Sequence, residues 1–147
     1  MATEVKSANG AAVRDNGDVT ITFGIDKTKI GQGTTKNAIP TIYIPVTNPV
    51  STSYVLDNVN VDFGGGADSG AKTGEVTDLW VYFGNSKVYH AGSNWTYTQT
   101  FNTGISSDFR VADASSYGIV VSLALSLPDA GSYINLYSVD LTFKEKK

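Results

Sequence analysis

From Val19 to Phe143 the chain runs as short segments of alternating apolar and polar residues, separated by clusters of Gly, Asn, Asp and Pro. Val19-Thr-Ile-Thr-Phe23 is the cleanest, with every second residue apolar. A period of two marks a strand that buries one face and wets the other. The pattern predicts strands over Val19–Ile25, Ile39–Val46, Ser53–Phe63, Glu75–Phe83, Ser86–Ala91, Asn94–Phe101, Phe109–Ala112, Tyr117–Leu127 and Tyr133–Phe143. A shorter one is expected at Ala11–Arg14. No apolar repeat of helical period is sustained, and a single turn near Ala112–Ser116 is the most the pattern allows. Together these segments predict an all-β fold: a single antiparallel two-sheet β-sandwich, jelly-roll-like, of about 8–10 strands with little or no helix.

The punctuation sets the connections. Asn16-Gly17 suits a tight hairpin, and Gly84-Asn85 a second one. Asp26–Asn37 reads as a polar loop, and Gly64-Gly65-Gly66 opens another that runs to Lys72. Pro40 and Pro45 each remove a ladder donor, which places Ile39–Val46 at a sheet edge. Tyr117–Leu127, the most apolar run, is expected to be a central strand covered on both faces. On Ser53–Phe63 the apolar face would hold Val55, Val59, Val61 and Phe63, with Asp57 in conflict among them. The whole chain, residues 1–147, is read as one domain. Residues 1–9 are expected to be a loose N-terminal segment and residues 144–147 a solvated charged tail.

Composition narrows the function classes. Of 147 residues 41% are hydrophobic and only 17% charged, so Thr, Ser, Asn and Gly must cover much of the surface. The formal charge is −3 and the basic residues are scattered. No basic stripe exists to neutralise a phosphate backbone, so nucleic acid is not expected as a partner. No apolar run reaches the length of a membrane span. Met1-Ala-Thr-Glu-Val-Lys6 has no apolar h-region, so no signal peptide is expected within this sequence. The absence of cysteine leaves the compartment open between cytoplasm and, for a mature form, the extracellular space.

The residues that usually carry chemistry are sparse. His90 is the one histidine, too few for a zinc site or a Ser–His–acid triad, and is read as a strand residue without a catalytic role. The 14 acids sit mostly at turns. Asp57, Asp62, Asp68 and Asp78 surround the glycine run and are the candidates weighed for Ca²⁺, though no EF-hand spacing is present. No other cofactor is expected. Gly31-Gln-Gly33 and Gly64–Gly66 lack the strand-to-helix setting and the Gly-Lys-Ser/Thr of a phosphate loop.

The aromatic residues carry the strongest functional signal. Opposite Leu79, Val81 and Phe83, the strand Glu75–Phe83 presents Trp80 and Tyr82. Trp95 and Tyr97 share a face of the next segment, and Tyr43 lies opposite Ile42 and Ile44. Rings on an outer sheet face, with polar neighbours such as Asn94 and Asp78, can stack on a pyranose and hydrogen-bond its hydroxyls. The competing reading puts the same rings into the inter-sheet core, since each buries about 150–250 Å².

Several segments also carry resemblances. Gly31-Gln-Gly33-Thr34-Thr35, Ile39-Pro-Thr-Ile-Tyr-Ile-Pro45 and Val76-Thr-Asp-Leu-Trp-Val81-Tyr-Phe-Gly84 stand in the order found in a family of small uncharacterised bacterial and fungal β proteins. Phe83 stands where that family tends to have Asp, and Tyr43 where it tends to have an aromatic pair. This resemblance implies one compact β domain and no assigned catalytic residue. Tyr54-Val-Leu-Asp57-Asn-Val59-Asn-Val61 and Tyr137-Ser-Val139-Asp-Leu141-Thr-Phe143 resemble the closing strands of jelly-roll carbohydrate-binding modules.

The reading these features favour is a non-enzymatic, lectin-like sandwich that binds carbohydrate through Trp80, Tyr82, Trp95 and Tyr97, with Asn94 and Asp78 as hydroxyl partners. A second reading is a self-assembling coat, sheath or filament subunit, a homo-oligomer docking through edge strands such as Ile39–Val46. A third is a carboxylate-dependent glycosidase, which would need acids such as Asp57 and Asp78 to meet in one cleft.

Overall fold

The computed structural model describes residues 3–15, 19–33, 40–47, 54–103 and 118–145. Among them lie β1 (Thr3–Asn9), β2 (Val19–Phe23), β3 (Thr28–Gln32), β4 (Thr41–Val46), β5 (Tyr54–Ala67), β6 (Glu75–Phe83), β7 (Ser86–Trp95), β8 (Tyr97–Asn102), β9 (Ile119–Ser126) and β10 (Ser132–Glu145). They form two antiparallel sheets, as the alternation predicts. The larger sheet runs β2-β3-β10-β5-β8, with β1 also paired to β10, and the smaller runs β4-β9-β6-β7. Among the described residues no helix is long and apolar enough to cross a membrane.

β10 organises the larger sheet. One edge pairs with β5 from Ser132 to Glu145. The other edge is shared, with β3 on Tyr133–Leu136 and β1 on Ser138–Lys144. In the smaller sheet β9 lies between β4 and β6, the central position expected of its apolar sequence.

The inner faces are almost wholly aliphatic. Ile42 and Ile44, Leu79 and Val81, Leu123 and Leu125, and Leu136, Val139 and Leu141 are completely shielded from solvent. Phe83 of one sheet meets Phe143 of the other with ring centroids 6.5 Å apart. Burying a side chain of this size contributes about 1.5–3 kcal/mol, so such positions dominate the driving force.

Several expectations are corrected. Within the segment expected to be loose, Thr3–Asn9 forms β1 through backbone pairing along β10, with little apolar burial to announce it. The loop expected at Asp26–Asn37 contains β3, whose Ile30 is its fully buried anchor. Ala11–Arg14 is not a strand: Gly10–Ala12 form one 3₁₀ turn, and Arg14 makes an isolated bridge to Tyr43.

The glycine run continues β5, with Gly64, Gly65 and Gly66 paired to Asn135, Ile134 and Tyr133. Gly65 is required by close approach, since a Cβ there would overlap the backbone carbonyl oxygen of Gly74. Lys144 and Glu145, expected in the charged tail, complete β10.

The conflict at Asp57 dissolves in a β-bulge. Thr142 pairs with Asn58 and Phe143 with Leu56, so Asp57 has no partner across the ladder. The extra residue shifts the alternation, and the core face reads Leu56, Val59, Val61, Phe63. Asp57 instead meets Lys144, 2.9 Å away. The strand expected across Asn94–Phe101 is broken at Thr96: β7 ends at Trp95 in the smaller sheet and β8 starts at Tyr97 in the larger. The expectations for Phe109–Ala112, for a turn near Ala112–Ser116 and for Asn16-Gly17 lie outside the described residues.

Thr28 on β3 is fully buried, and its hydroxyl has no hydrogen-bond partner among the described residues. An unmet buried hydroxyl costs about 1–3 kcal/mol. Thr28→Val keeps the shape and removes the hydroxyl, so it is expected to stabilise the fold by about 1 kcal/mol. Urea unfolding reads this as a higher midpoint at unchanged slope; a lower midpoint would contradict the assignment.

Candidate functional site

The burial of Leu79, Val81 and Phe83 decides where Trp80 and Tyr82 go. The three apolar residues are fully enclosed, so strand alternation turns the two rings to the outer face, where they are half-buried. Strand register then collects further groups around them. Tyr43 on β4 pairs with Ser122 on β9, Ser122 with Trp80, and Trp80 with His90 on β7. The adjacent row holds Pro45, Val120, Tyr82 and Lys87.

Ser122 is the low point of this face. It stands between Tyr43 and Trp80 in the cross-strand row, and its exposure is only 2%. The small residue between two large rings leaves an open groove of about 410 Å³, lined by Tyr43, Trp80, Tyr82, Val120, Ser122, Thr41 and Gly84. Gly84 closes the β6–β7 hairpin at one end with φ 59°, a left-handed conformation that glycine adopts without strain. The lining combines ring faces with hydroxyls, a phenol at each of Tyr43 and Tyr82, and the indole N–H of Trp80. It offers stacking and neutral hydrogen bonds.

Two contacts hold the rings. The imidazole of His90 stacks on Trp80, with centroids 5.2 Å apart and planes 14° from parallel. Its Nε2 is 3.0 Å from Oδ1 of Asp78, which ties the imidazole in place and so backs the indole. On the other side Tyr43 is fixed through its backbone: its N–H donates to the carbonyl of Arg14 at 2.8 Å and its carbonyl accepts from the Arg14 N–H at 2.7 Å. That bridge also covers part of the β4 edge, the strand expected to be open for docking.

The remaining expected residues are dispersed. Asn94 is exposed, four positions beyond His90 on β7. Trp95 is half-buried against the core, edge-on to Phe101 at 5.0 Å. Tyr97 is 69% exposed but lies on β8 of the other sheet. The four rings therefore do not form one platform, and the break at Thr96 is the reason. Tyr89 also packs toward Phe101, at 6.4 Å, and its burial raises the phenol above its ordinary range.

The acids weighed for Ca²⁺ are separately engaged or apart. Asp57 pairs with Lys144, Asp78 with His90, and Asp62 accepts from the Thr98 hydroxyl at 2.7 Å. Asp68 sits exposed at the end of β5. Among the described residues no three His, Asp or Glu side chains gather into a metal site. Asp57 and Asp78 stand on different sheets, so they do not share the cleft a glycosidase pair needs. Reasoning from sequence missed Ser122 as the recess of the groove and His90 as the ring stacked on Trp80, and it did not bring Tyr43 into their row. The alternation of Tyr43 with Ile42 and Ile44 already marked its face, but its row-mates depend on cross-strand register.

No family model matches the chain, and no curated protein does, so the likeness to small bacterial and fungal β proteins stands on its short motifs alone. Among solved structures the chain is similar to CBM86, described as a low-affinity xylan-binding module from the xylanolytic gut symbiont Roseburia intestinalis. The match has 15% identity and a TM-score of 0.53, and covers 99% of this chain and 97% of that one. What the two share at this identity is the β-sandwich fold.

The stacked pair has a direct spectroscopic signature. His90 is the one histidine, so its imidazole C–H signals are unambiguous in a proton spectrum. They are expected upfield, in the ring current of Trp80, and Trp80→Ala should return them downfield by several tenths of a ppm. Unmoved signals would mean that the rings do not stack in solution.

Proposed function

We propose that this protein is a non-catalytic carbohydrate-binding module whose site is the groove on the outer face of β4, β9, β6 and β7. The observation that carries the reading is the row Tyr43–Ser122–Trp80–His90, in which two large rings flank a recessed serine on a solvent-facing sheet. Sugar rings present apolar C–H faces that stack on aromatics, while their hydroxyls need neutral donors and acceptors. The groove supplies both. Its openness to solvent fits weak binding along a polymer better than enclosure of a small molecule.

The likeness in fold to a xylan-binding module makes xylan the first polymer to try. The rival reading, assembly through the β4 edge, finds less support because Arg14 bridges that edge at Tyr43. The glycosidase reading lacks a carboxylate pair facing the groove among the described residues.

Affinity electrophoresis through gels containing soluble xylan, mixed-linkage β-glucan or glucomannan tests the proposal. Retardation is expected on at least one polymer, with xylan first. Trp80→Ala is expected to weaken it about tenfold or more, and Tyr43→Ala to do the same, by loss of stacking area. Trp95→Phe, which keeps an aromatic against Phe101, should leave retardation unchanged. Migration of wild type unaltered by every polymer, or equal retardation of Trp80→Ala, would overturn the assignment.

A further inference from the structure

The outer face of the larger sheet carries a second hollow with different chemistry. Two depressions, of about 210 and 320 Å³, share Thr22, Lys29 and Tyr133 and so form one trough across β2, β3 and β10. The register shows why the surface is recessed. One cross-strand row reads Thr20, Gly31, Tyr133, Gly66, and the next Thr22, Lys29, Asn135, Gly64. Glycine at three of these eight positions removes side chains from the face. The space above Gly64 is open, while Tyr133 lies across Gly66.

The charged groups of this trough are distinctive for an acidic protein. Lys29 places its ammonium 4.2 Å from the centre of the Tyr133 ring, which sets that charge beside a ring lining the hollow. Lys27 lines the depression beside it, and among the described residues the one acid lining the trough is Asp68, in the other depression. Neither lysine forms an ion pair with an acid among the described residues, whereas Lys6 and Lys144 do. The walls add uncharged groups: the hydroxyls of Thr20 and Thr22, and the amides of Asn135 and Gln32. Gln32 is braced by donating to the Leu127 carbonyl at 2.5 Å, and its carbonyl accepts from the Thr20 hydroxyl at 2.9 Å.

We propose that this trough is a second ligand subsite, selective for a sugar bearing a carboxylate, with the ammoniums of Lys29 and Lys27 meeting the anion and the Thr and Asn groups meeting hydroxyls. The class of ligand rests on the reading of the protein as a glycan binder; the charge selectivity rests on the trough alone. It differs from the groove of the smaller sheet, where stacking on Trp80 and neutral hydrogen bonds would hold an uncharged pyranose. The two sites lie on opposite outer faces of the sandwich, so one molecule could contact two chains, or two stretches of a polymer substituted with uronate.

Affinity electrophoresis with polygalacturonate, and with the same polymer after reduction of its carboxyls, separates the two sites. Wild type is expected to be retained at least about tenfold more strongly by the acidic polymer, and less so as salt rises. Lys29→Gln should abolish that difference, and Lys27→Gln should reduce it. Lys6→Gln, on a distant strand, should not change it. Trp80→Ala should lose retention on xylan yet keep its preference for polygalacturonate. Equal retention on acidic and reduced polymers, unchanged behaviour of Lys29→Gln, or an equal loss in Lys6→Gln would overturn the proposal. A wild type that ignores xylan, mixed-linkage β-glucan and glucomannan but retains Lys29-dependent binding of polygalacturonate would leave this subsite standing while removing the groove of the smaller sheet.

Discussion

Every feature of the outer surface depends on what the two sheets enclose. A strand cannot bury one residue without turning the next one outward, so the packing of Leu79, Val81 and Phe83 is also the placement of Trp80 and Tyr82. The same holds on β4, where the burial of Ile42 and Ile44 projects Tyr43, and on β9, where Val121 and Leu123 leave Ser122 on the outer side. The core thus acts twice. It supplies the hydrophobic driving force, and it aims the groups that a ligand would meet.

The sequence is legible where burial is strong and local. β6, β9 and β10 each carry enough aliphatic residues at alternating positions to declare both their existence and their inner face. β1 and β3 do not. Thr28–Gln32 contributes one large aliphatic, Ile30, and owes its strand conformation to backbone pairing with β2 and β10. Gly64–Ala67 breaks the rule that a glycine run is a loop, because its backbone stays paired to β10, and at Gly65 the backbone of Gly74 comes too close to admit a side chain. Asp57 shows a third failure. A bulge adds one residue, and a period counted through it assigns the wrong face.

The candidate site divides along the same line. Trp80 and Tyr82 were readable from one strand, since their alternation is internal to β6. Their association with Tyr43, Ser122 and His90 was not, because it requires the register of β6 against β9, β9 against β4 and β6 against β7. Trp95 and Tyr97 failed for a related reason: alternation was counted across Thr96, where the chain passes from one sheet to the other. A bend invisible in the apolar pattern reassigns one ring to the core and the other to a separate face.

The rings of the groove are not needed to fill the sandwich. Aliphatic side chains from both sheets, with Phe83 and Phe143 between them, already occupy the interior. An indole left half-exposed forgoes part of the 150–250 Å² that a buried aromatic removes from water, roughly 25 cal/mol for each Å². His90, held by Asp78, covers part of the indole; the groove over Ser122 stays uncovered. Folding therefore accounts for the inner aromatics, while Tyr43, Trp80 and Tyr82 keep ring surface open to the groove that the interior does not need. The larger sheet shows the complement, an outer face recessed by glycines and carrying two ammoniums without an acidic partner among the described residues. One scaffold, with the same aliphatic interior facing both ways, in this way supports two surfaces whose chemistry is set by the residues between the buried ones.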